Sequence, residues 1–335
     1  MIRKGRGVAT VYYPSGFNGG GDPDLATVRM KPDGTIDVSN ATAEHGQGFK
    51  NVAVQMAAEV LGVDGDIIKL DNYNSDTAAF SMDTAGSRST VISGGAVMNA
   101  AKDLVEKVKA FAADQLGVTA EEMDYADGRA FVKADPEKGM TLAEVSGAAT
   151  YGGTMLMGLG GWWPGSAAPR DPETGAQHGS DLMSYGSQIV DVEVDDETGV
   201  VKVKDMYVCY DMGTVVNPMQ AEGQAIGGDV MGIGMALFED LAPSYPVSMQ
   251  PYTTDFTDYI IPTFNDTPDI DAVTFYENPD PVGPFGAKGC GEMVNNTQPP
   301  AIINAIYDAV GVWIDEIPAT PEKVLKAIRE KQDAE

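Results

Sequence analysis

The sequence has few residues that bind metal ions or form cross-links. It contains two cysteines, Cys209 and Cys290, and two histidines, His45 and His178, among 335 residues. An iron–sulfur cluster needs about four thiolates, and a structural zinc site needs about four cysteine or histidine ligands at short spacing. This chain alone therefore supplies neither site. It also lacks a disulfide framework, which is typical of a reducing compartment.

Positive charge and long apolar runs are scarce as well. The 22 Lys and Arg residues face 50 Asp and Glu residues, which gives a formal net charge of −28. Such a field repels nucleic acids and anionic membranes, so neither is expected as a partner. No apolar run reaches the roughly 18 residues of a membrane span. The run over residues 8–13 stops at Pro14 and is too short for a signal-peptide core. We therefore expect a cytoplasmic protein.

Strand and helix signals are intermixed along the chain. The alternation of apolar residues predicts two hairpins, over residues 26–38 and 187–208. Helical patterns cover residues 52–61 and 96–116, which stop at glycines, residues 220–239 (interrupted by glycines), residues 298–310, and a last helix from Thr320. This mixture predicts an α+β (mixed α/β) fold. Because residues 150–182 are rich in Gly, Pro and Trp, we predict two lobes, residues 1–150 and residues 151–335.

Glycine clusters are the most unusual feature of the sequence. Four of them stand before helical runs, at residues 46–48, 86–90, 223–228 and 286–292. Glycine at the start of a helix lets backbone N–H groups approach an anion, and the helix dipole favours phosphate there. A single cluster is explained at least as well by a tight turn. Four clusters that also carry Gln, Ser, Thr, Arg and Lys donors indicate a cradle for a large phosphorylated cofactor.

Two further features of the sequence limit the reactions that this chain is expected to catalyse. The chain has neither the P-loop pattern nor the dinucleotide-binding glycine pattern, so an NTPase or a NAD enzyme is not expected. Glu292 follows a glycine-rich loop and precedes a helix. A carboxylate close to a ligand can serve as a general base, although a helix-start Glu stabilised by the dipole is an equal alternative. His45 and Cys290 are interpreted as a polar loop residue and a small residue in a crowded loop.

The clusters, in this order, resemble the molybdenum hydroxylases of the xanthine dehydrogenase family. Residues 44–48 with the helix that follows are similar to that family's Gly-Gln-Gly loop, and residues 84–90 resemble its second cofactor loop. The segment 211–228 resembles the third cofactor loop, and residues 287–292 resemble the active-site Gly-x-Gly-Glu segment. The resemblance covers residues 5–330 and only the C-terminal half of the family's two-lobed molybdopterin-binding region.

The resemblance implies a molybdenum–molybdopterin cytosine dinucleotide cofactor with a sulfido or selenido ligand. The metal is held by the cofactor, so no protein ligand is expected. Glu292 is then the general base, and Tyr13 falls near the substrate pocket. The residues implied in cofactor binding are Gly46, Gln47, Gly48, Gly86, Ser87, Arg88, Ser89, Thr90, Gln224, Lys288 and Gly291.

The resemblance also implies partners and a reaction. The N-terminal half of the cofactor region is expected on a large molybdopterin subunit, a [2Fe–2S] cluster on a small subunit, and FAD on a third subunit. The expected reaction inserts water-derived oxygen into an electron-poor N-heterocycle, with nicotinate to 6-hydroxynicotinate as the first candidate. A purine or aldehyde hydroxylase and a non-catalytic cofactor-binding assembly subunit are the alternatives.

Overall fold

The computed structural model describes residues 1–17, 22–71, 74–163, 171–176, 180, 182–240, 253, 255–268, 270 and 272–334. The chain divides into two compact units. Unit 1 comprises Met1–Tyr13, Ser184–Asn278 and Cys290–Glu335, and unit 2 comprises Pro14–Met183 and Pro279–Gly289. The predicted lobes, residues 1–150 and 151–335, differ from this division, because each unit is assembled from separated segments. His178 lies outside the described residues.

The described residues form eleven strands and six α-helices. The strands are β1 (Ile2–Pro14), β2 (Asp24–Met30), β3 (Ile36–Ser39), β4 (Ile68–Asp71), β5 (Met123–Ala126), β6 (Arg129–Val132), β7 (Asp135–Thr141), β8 (Met157–Trp162), β9 (Met183–Asp195), β10 (Val201–Asp211) and β11 (Ala272–Phe275). The helices are α1 (Phe49–Leu61), α2 (Gly94–Leu116), α3 (Leu142–Tyr151), α4 (Pro218–Leu237), α5 (Gln298–Val310) and α6 (Pro321–Ala334). The intermixed strands and helices confirm the predicted α+β class.

Unit 1 is built on a four-stranded sheet with the order β1-β9-β10-β11. The predicted hairpin is confirmed as the antiparallel pair β9–β10, and β11 adds to β10 in parallel. Strand β1 packs closely on α5, because Cβ atoms at Gly5 and Gly7 would lie 2.1 and 1.9 Å from the carbonyl oxygens of Ala305 and Ala301. Only glycine allows this approach. The sequence patterns did not predict β1 as a strand.

Unit 2 contains a sheet of order β4-β3-β2-β8 and a smaller antiparallel sheet, β5-β6-β7. The hairpin predicted over residues 26–38 is confirmed as β2–β3. Strand β8 lies within the stretch rich in Gly, Pro and Trp, for which no strand was predicted. A Cβ at Gly158 would lie 1.9 Å from the carbonyl oxygen of Ala100, and one at Gly160 would lie 2.2 Å from its nitrogen. These glycines therefore let a strand approach α2 rather than open a loop.

Glycines end the first two helices as predicted. Gly62 and Gly117 take left-handed conformations after α1 and α2, with φ of 58° and 67°. The predicted interruption of the fourth helix is wrong, since α4 is continuous from Pro218 to Leu237. Gly228 and Gly232 instead allow close packing inside unit 1, because Cβ atoms there would lie 2.4 Å from the carbonyl oxygen of Val294 and 2.4 Å from Cβ of Gln298. Across the described residues, none of the helices combines the length and the apolar character that crossing a bilayer requires.

Candidate functional site

Glu292 lies in unit 1, immediately before the 3₁₀ turn Met293–Asn295. Its Oε2 accepts a hydrogen bond of 2.6 Å from the hydroxyl of Tyr13, a residue near the end of β1. Burial, together with the Glu292 carboxylate, raises the pKa of Tyr13, so the hydroxyl remains a donor. The structure thus joins two predicted site residues that are 279 positions apart. An oriented, half-buried carboxylate of this kind can accept a proton.

The turn that follows Glu292 is held by buried side chains. Nε2 of Gln298 donates to the carbonyl oxygen of Val294 at 2.6 Å and to Oδ1 of Asp229 at 2.5 Å. The hydroxyl of Tyr210 donates to the same carbonyl at 3.3 Å. Nε2 of Gln188 also donates to Oδ1 of Asp229, at 2.7 Å. Gln298 and Tyr210 therefore fix the backbone of this turn from inside unit 1, whereas Gln188 contacts Asp229 and not the turn.

Asp229 was not predicted as a site residue. It is fully buried on α4. Burial raises its pKa to about 6, although the amides of Gln298 and Gln188 act in the opposite direction. The available signal was an acidic residue in an otherwise apolar stretch of a helix, since charged residues are almost never fully buried without a partner.

Gln224 lies half-buried on α4, well inside the helix. The helix begins after Asn217, whose side-chain oxygen accepts from the backbone N–H of Gln220 at 3.1 Å. The interpretation of residues 223–228 as a loop before a helix is therefore wrong, because their backbone N–H groups belong to the helical ladder. In this segment, the Gln224 side chain is the group that can serve a cofactor.

Arg88 in unit 2 is fully buried, and its guanidinium is engaged by the protein itself. Nε donates to Asp22 at 2.7 Å and one terminal nitrogen donates to Asp24 at 2.7 Å. The other terminal nitrogen donates to the carbonyl oxygen of Asp83 at 2.6 Å and to Ser81 at 3.3 Å. The Arg88 side chain thus organises the interior of unit 2, which argues against its predicted contact with a cofactor.

The loop at residues 46–48 is capped by the chain's own carboxylate. Glu44 accepts from the backbone N–H groups of Gly46, Gly48 and Lys50, each at 2.9 Å. Burial raises the pKa of Glu44, but these backbone donors outweigh it, and its pKa lies below the usual value. Glu44 therefore occupies the position that an anion would take at the start of α1. The backbone of Gly46 and Gly48 is not free for the predicted phosphate.

The side chain of Gln47 makes two hydrogen bonds within its own loop. Its Nε2 donates to the carbonyl oxygen of Ala43 at 2.9 Å, and its Oε1 accepts from the backbone N–H of His45 at 2.6 Å. Since an amide nitrogen carries two hydrogens, Gln47 retains a second N–H. A Cβ at Gly46 would meet no atom within 4 Å, so this side of the loop borders open space.

The loop at residues 86–90 begins with two residues in the left-handed backbone conformation. Gly86 and Ser87 have φ of 60° and 52°, and a left-handed serine is uncommon and strained. The backbone N–H of Gly16 donates to the carbonyl oxygen of Gly86 at 2.7 Å. Ser89 opens the helical segment that continues into α2. The hydroxyls of Ser87, Ser89 and Thr90 therefore stand at a helix start, where anions are stabilised.

The loop at residues 286–292 is divided between the two units. In unit 2, the backbone N–H of Gly289 donates to Oγ of Ser15 at 2.9 Å, and a Cβ at Gly289 would lie 1.9 Å from the carbonyl oxygen of Ser87. Unit 2 thus brings its part of this loop against residues 86–90. Lys288 is buried in unit 2, while Gly291 is exposed in unit 1. Burial raises the pKa of Cys290 to about 11, so its thiol stays protonated at neutral pH.

Comparison with known proteins gives one family and several relatives. Residues 1–268 match the molybdopterin cofactor-binding domain. The chain is 36% identical over 310 residues to the nicotine 6-hydroxylase large subunit of Paenarthrobacter nicotinovorans, covering 91% of this chain and 37% of that protein. It is 30% identical over 316 residues to the subunit gamma of the 6-hydroxypseudooxynicotine dehydrogenase complex of the same organism, covering 92% and 38%.

A solved structure with the same fold is the quinoline 2-oxidoreductase of Pseudomonas putida 86. It superimposes with a TM-score of 0.83 at 31% identity, over 98% of this chain and 42% of that chain. The chain therefore spans about two fifths of the length of these relatives.

Proposed function

The chain belongs to the molybdopterin cofactor-binding domain family, and on this basis we propose that it is the catalytic part of a molybdenum-dependent hydroxylase. We propose an electron-poor N-heterocycle as the substrate, because two of the similar proteins are named for nicotine and quinoline. Nicotinate is the first substrate to test. The hydrogen bond from Tyr13 to Glu292 supports this proposal most directly, since it orients a carboxylate that can take a proton.

The loop at residues 86–90 is better suited to hold the cofactor than the loop at residues 46–48. Residues 86–90 combine a left-handed backbone with hydroxyls at a helix start, which suits a phosphate-bearing group. The backbone at residues 46–48 does not, because Glu44 takes those donors. We propose that the second amide N–H of Gln47, the hydroxyls of Ser87, Ser89 and Thr90, and the Gln224 amide hold the cofactor. Lys288 and Gly291 remain predictions from the resemblance.

When bound, the cofactor would supply oxygen-transfer and two-electron redox chemistry at its molybdenum. The proposed roles of this chain's residues are to bind it, to orient the reacting groups and to move a proton. Glu292 is the proposed proton acceptor. Tyr13 keeps its own proton and donates a hydrogen bond to Oε2 of Glu292, which fixes the orientation of the carboxylate.

The remaining components are also proposed. We propose from the family resemblance that the N-terminal half of the cofactor region lies on a large molybdopterin subunit. An iron–sulfur subunit and an FAD subunit would carry electrons away. The cytosine dinucleotide form of the cofactor is proposed on the same resemblance.

The experiment that tests the function is Glu292→Gln in the assembled enzyme. Gln keeps the size of the side chain but cannot accept the proton, so the rate of nicotinate hydroxylation should fall by at least about a hundredfold. Molybdenum and nucleotide content should be unchanged. The matched control is Glu330→Gln on the exposed face of α6, which should turn over like the wild type. Full activity of Glu292→Gln with bound cofactor would remove Glu292 from the proposed mechanism.

A further inference from the structure

Three polar side chains form a buried cluster inside unit 1, here called the Asp229 cluster. Asp229 comes from α4, Gln188 from β9 and Gln298 from α5, and each is at most 1% exposed. Both glutamines donate Nε2 hydrogens to the same atom, Oδ1 of Asp229, at 2.7 and 2.5 Å. Three separate elements are therefore joined at one buried oxygen.

The Asp229 cluster is poorly satisfied. Oδ2 of Asp229 and the Oε1 atoms of Gln188 and Gln298 have no hydrogen-bond partner among the residues that the structure describes. Each buried polar atom without a partner costs free energy. A cluster with three such atoms contributes little to the free energy of unfolding, since apolar side chains of similar size would fill the same space without burying unpartnered polar atoms. We therefore examine which parts of the backbone the hydrogen bonds of the Asp229 cluster hold in place.

One hydrogen bond leads from the cluster to the turn after Glu292. Nε2 of Gln298 donates to the carbonyl oxygen of Val294 at 2.6 Å, two residues beyond Glu292. The turn also rests directly on α4, because a Cβ at Gly228 would lie 2.4 Å from the same carbonyl oxygen. The turn thus lies directly against the backbone of α4, and Gln298 makes the shorter of the two side-chain hydrogen bonds to its carbonyl oxygen, the other coming from Tyr210 at 3.3 Å.

We propose that Asp229 is a positioning residue, which orients the Gln298 amide so that the turn holds Glu292 in its place beside Tyr13. Asp229 acts through Gln298 and does not itself contact Glu292. The expected effect of Asp229 on turnover rests on the proposed function of Glu292, whereas its effect on how firmly the turn is held does not.

The central test compares Asp229→Leu with Asp229→Asn in the assembled enzyme. Leu removes the oxygen that receives both glutamine amides. Asn keeps that acceptor and adds an N–H that can serve a glutamine Oε1. Asp229→Leu should lower kcat at least about tenfold with KM within about twofold and unchanged molybdenum content. Amide hydrogen exchange over residues 290–298, measured by mass spectrometry, should speed up by about the same factor. Asp229→Asn should resemble the wild type in both readouts.

Gln188→Leu is the matched control. It removes an equivalent, equally buried hydrogen bond to Oδ1 of Asp229, but Gln188 lies on β9 and not beside the turn. Its kcat and its exchange over residues 290–298 should stay within about threefold of the wild type. Gln298→Met provides a second route, in case Asp229→Leu fails to fold, and should reproduce the slow turnover and the faster exchange.

The outcomes separate the two proposals. Wild-type exchange over residues 290–298 in both Asp229→Leu and Gln298→Met would overturn the positioning role. Equal damage in Asp229→Asn and Asp229→Leu would overturn it as well, because charge rather than hydrogen bonding would then matter. Faster exchange with unchanged turnover, together with an active Glu292→Gln enzyme, would confirm that Asp229 orders the turn and would refute the proposed function of Glu292.

Discussion

Tyr12 and Tyr13 are neighbours on β1 with different surroundings. Tyr12 is 72% exposed, whereas the hydroxyl of Tyr13 donates to Oε2 of Glu292 at 2.6 Å. A hydrogen bond to a charged group contributes about 1.5–3 kcal/mol. We propose that Tyr13 orients Glu292 through this contact, a role that is more specific than the predicted place near a substrate pocket.

Tyr13→Phe is therefore expected to lower kcat. It leaves the ring and removes the hydroxyl that orients the carboxylate, so we expect a loss of about tenfold or more in nicotinate hydroxylation at unchanged cofactor content. Tyr12→Phe is the control and should match the wild type. Equal rates for all three enzymes would show that Glu292 does not depend on this hydrogen bond. The measurement is steady-state kinetics on the assembled enzyme.

Arg88 and Arg29 allow a second comparison of single residues. Arg88 is fully buried between Asp22 and Asp24, while the side chain of Arg29 is 47% exposed and pairs with Asp37 at 2.6 Å. Removing one partner of a buried ion pair leaves a charge without compensation, which costs about 3–5 kcal/mol. An exposed pair contributes about 0–1 kcal/mol.

We expect Arg88→Met to reduce the free energy of unfolding by about 3–5 kcal/mol. Arg29→Met should change it by about 1 kcal/mol or less. Urea denaturation of the two variants and the wild type checks both values. A small effect of Arg88→Met would mean that Asp22 and Asp24 find other partners, and the predicted cofactor role of Arg88 should then be tested again.

At the scale of elements, glycine pairs two residues apart let strands lie against helices of small residues. Gly5 and Gly7 of β1 face α5, and Gly158 and Gly160 of β8 face α2. The same arrangement occurs in both units, and it explains why two strands were not predicted. Glycine weakens a strand when it is considered alone, so local propensity favours a loop at a position where the packed structure requires glycine.

Gly158→Ala should destabilise unit 2. The new Cβ would lie 1.9 Å from the carbonyl oxygen of Ala100, so β8 and α2 must move apart. Overpacking of this kind costs about 1–3 kcal/mol. Gly147 on α3 is the control, because a Cβ there meets nothing within 4 Å. Gly147→Ala should stabilise the protein by about 0.5–1 kcal/mol. Denaturant titration of both variants measures the two changes in the free energy of unfolding, which should have opposite signs.

At the scale of the whole molecule, the residues proposed to take part in the chemistry are described for each unit separately. Unit 1 holds Glu292, Tyr13 and Gln224, and unit 2 holds Gln47 and residues 86–90. The chain spans 37–42% of the length of the similar proteins described above. We propose that further polypeptide is needed before the cofactor binds.

We expect the chain expressed alone to contain no molybdenum and to be inactive, because part of the cofactor's binding surface would be missing. Co-expression with the large subunit should bring about one molybdenum per chain, measured by elemental analysis. The control replaces the large subunit with the FAD subunit alone, which should give none. Stoichiometric molybdenum in the chain expressed alone would contradict the proposed need for partners.

The sequence alone determined much of the local structure. The glycines after α1 and α2 marked where those helices end, and the alternation of apolar residues marked both hairpins. These features depend on neighbours a few positions apart, so local patterns record them. The order of the glycine clusters also pointed to the family, and the match of residues 1–268 to the molybdopterin cofactor-binding domain confirms it.

Only the tertiary structure decided which groups are used inside the protein and which are available to a ligand. Glu44 caps the start of α1, and Arg88 donates to two buried aspartates. Asp229 accepts hydrogen bonds from two glutamines of other elements. Each of these contacts is made by hydrogen-bonding groups that could equally serve a ligand. Their partners, and the pairing of Tyr13 with Glu292, depend on how distant segments pack, which a local pattern in the sequence does not contain.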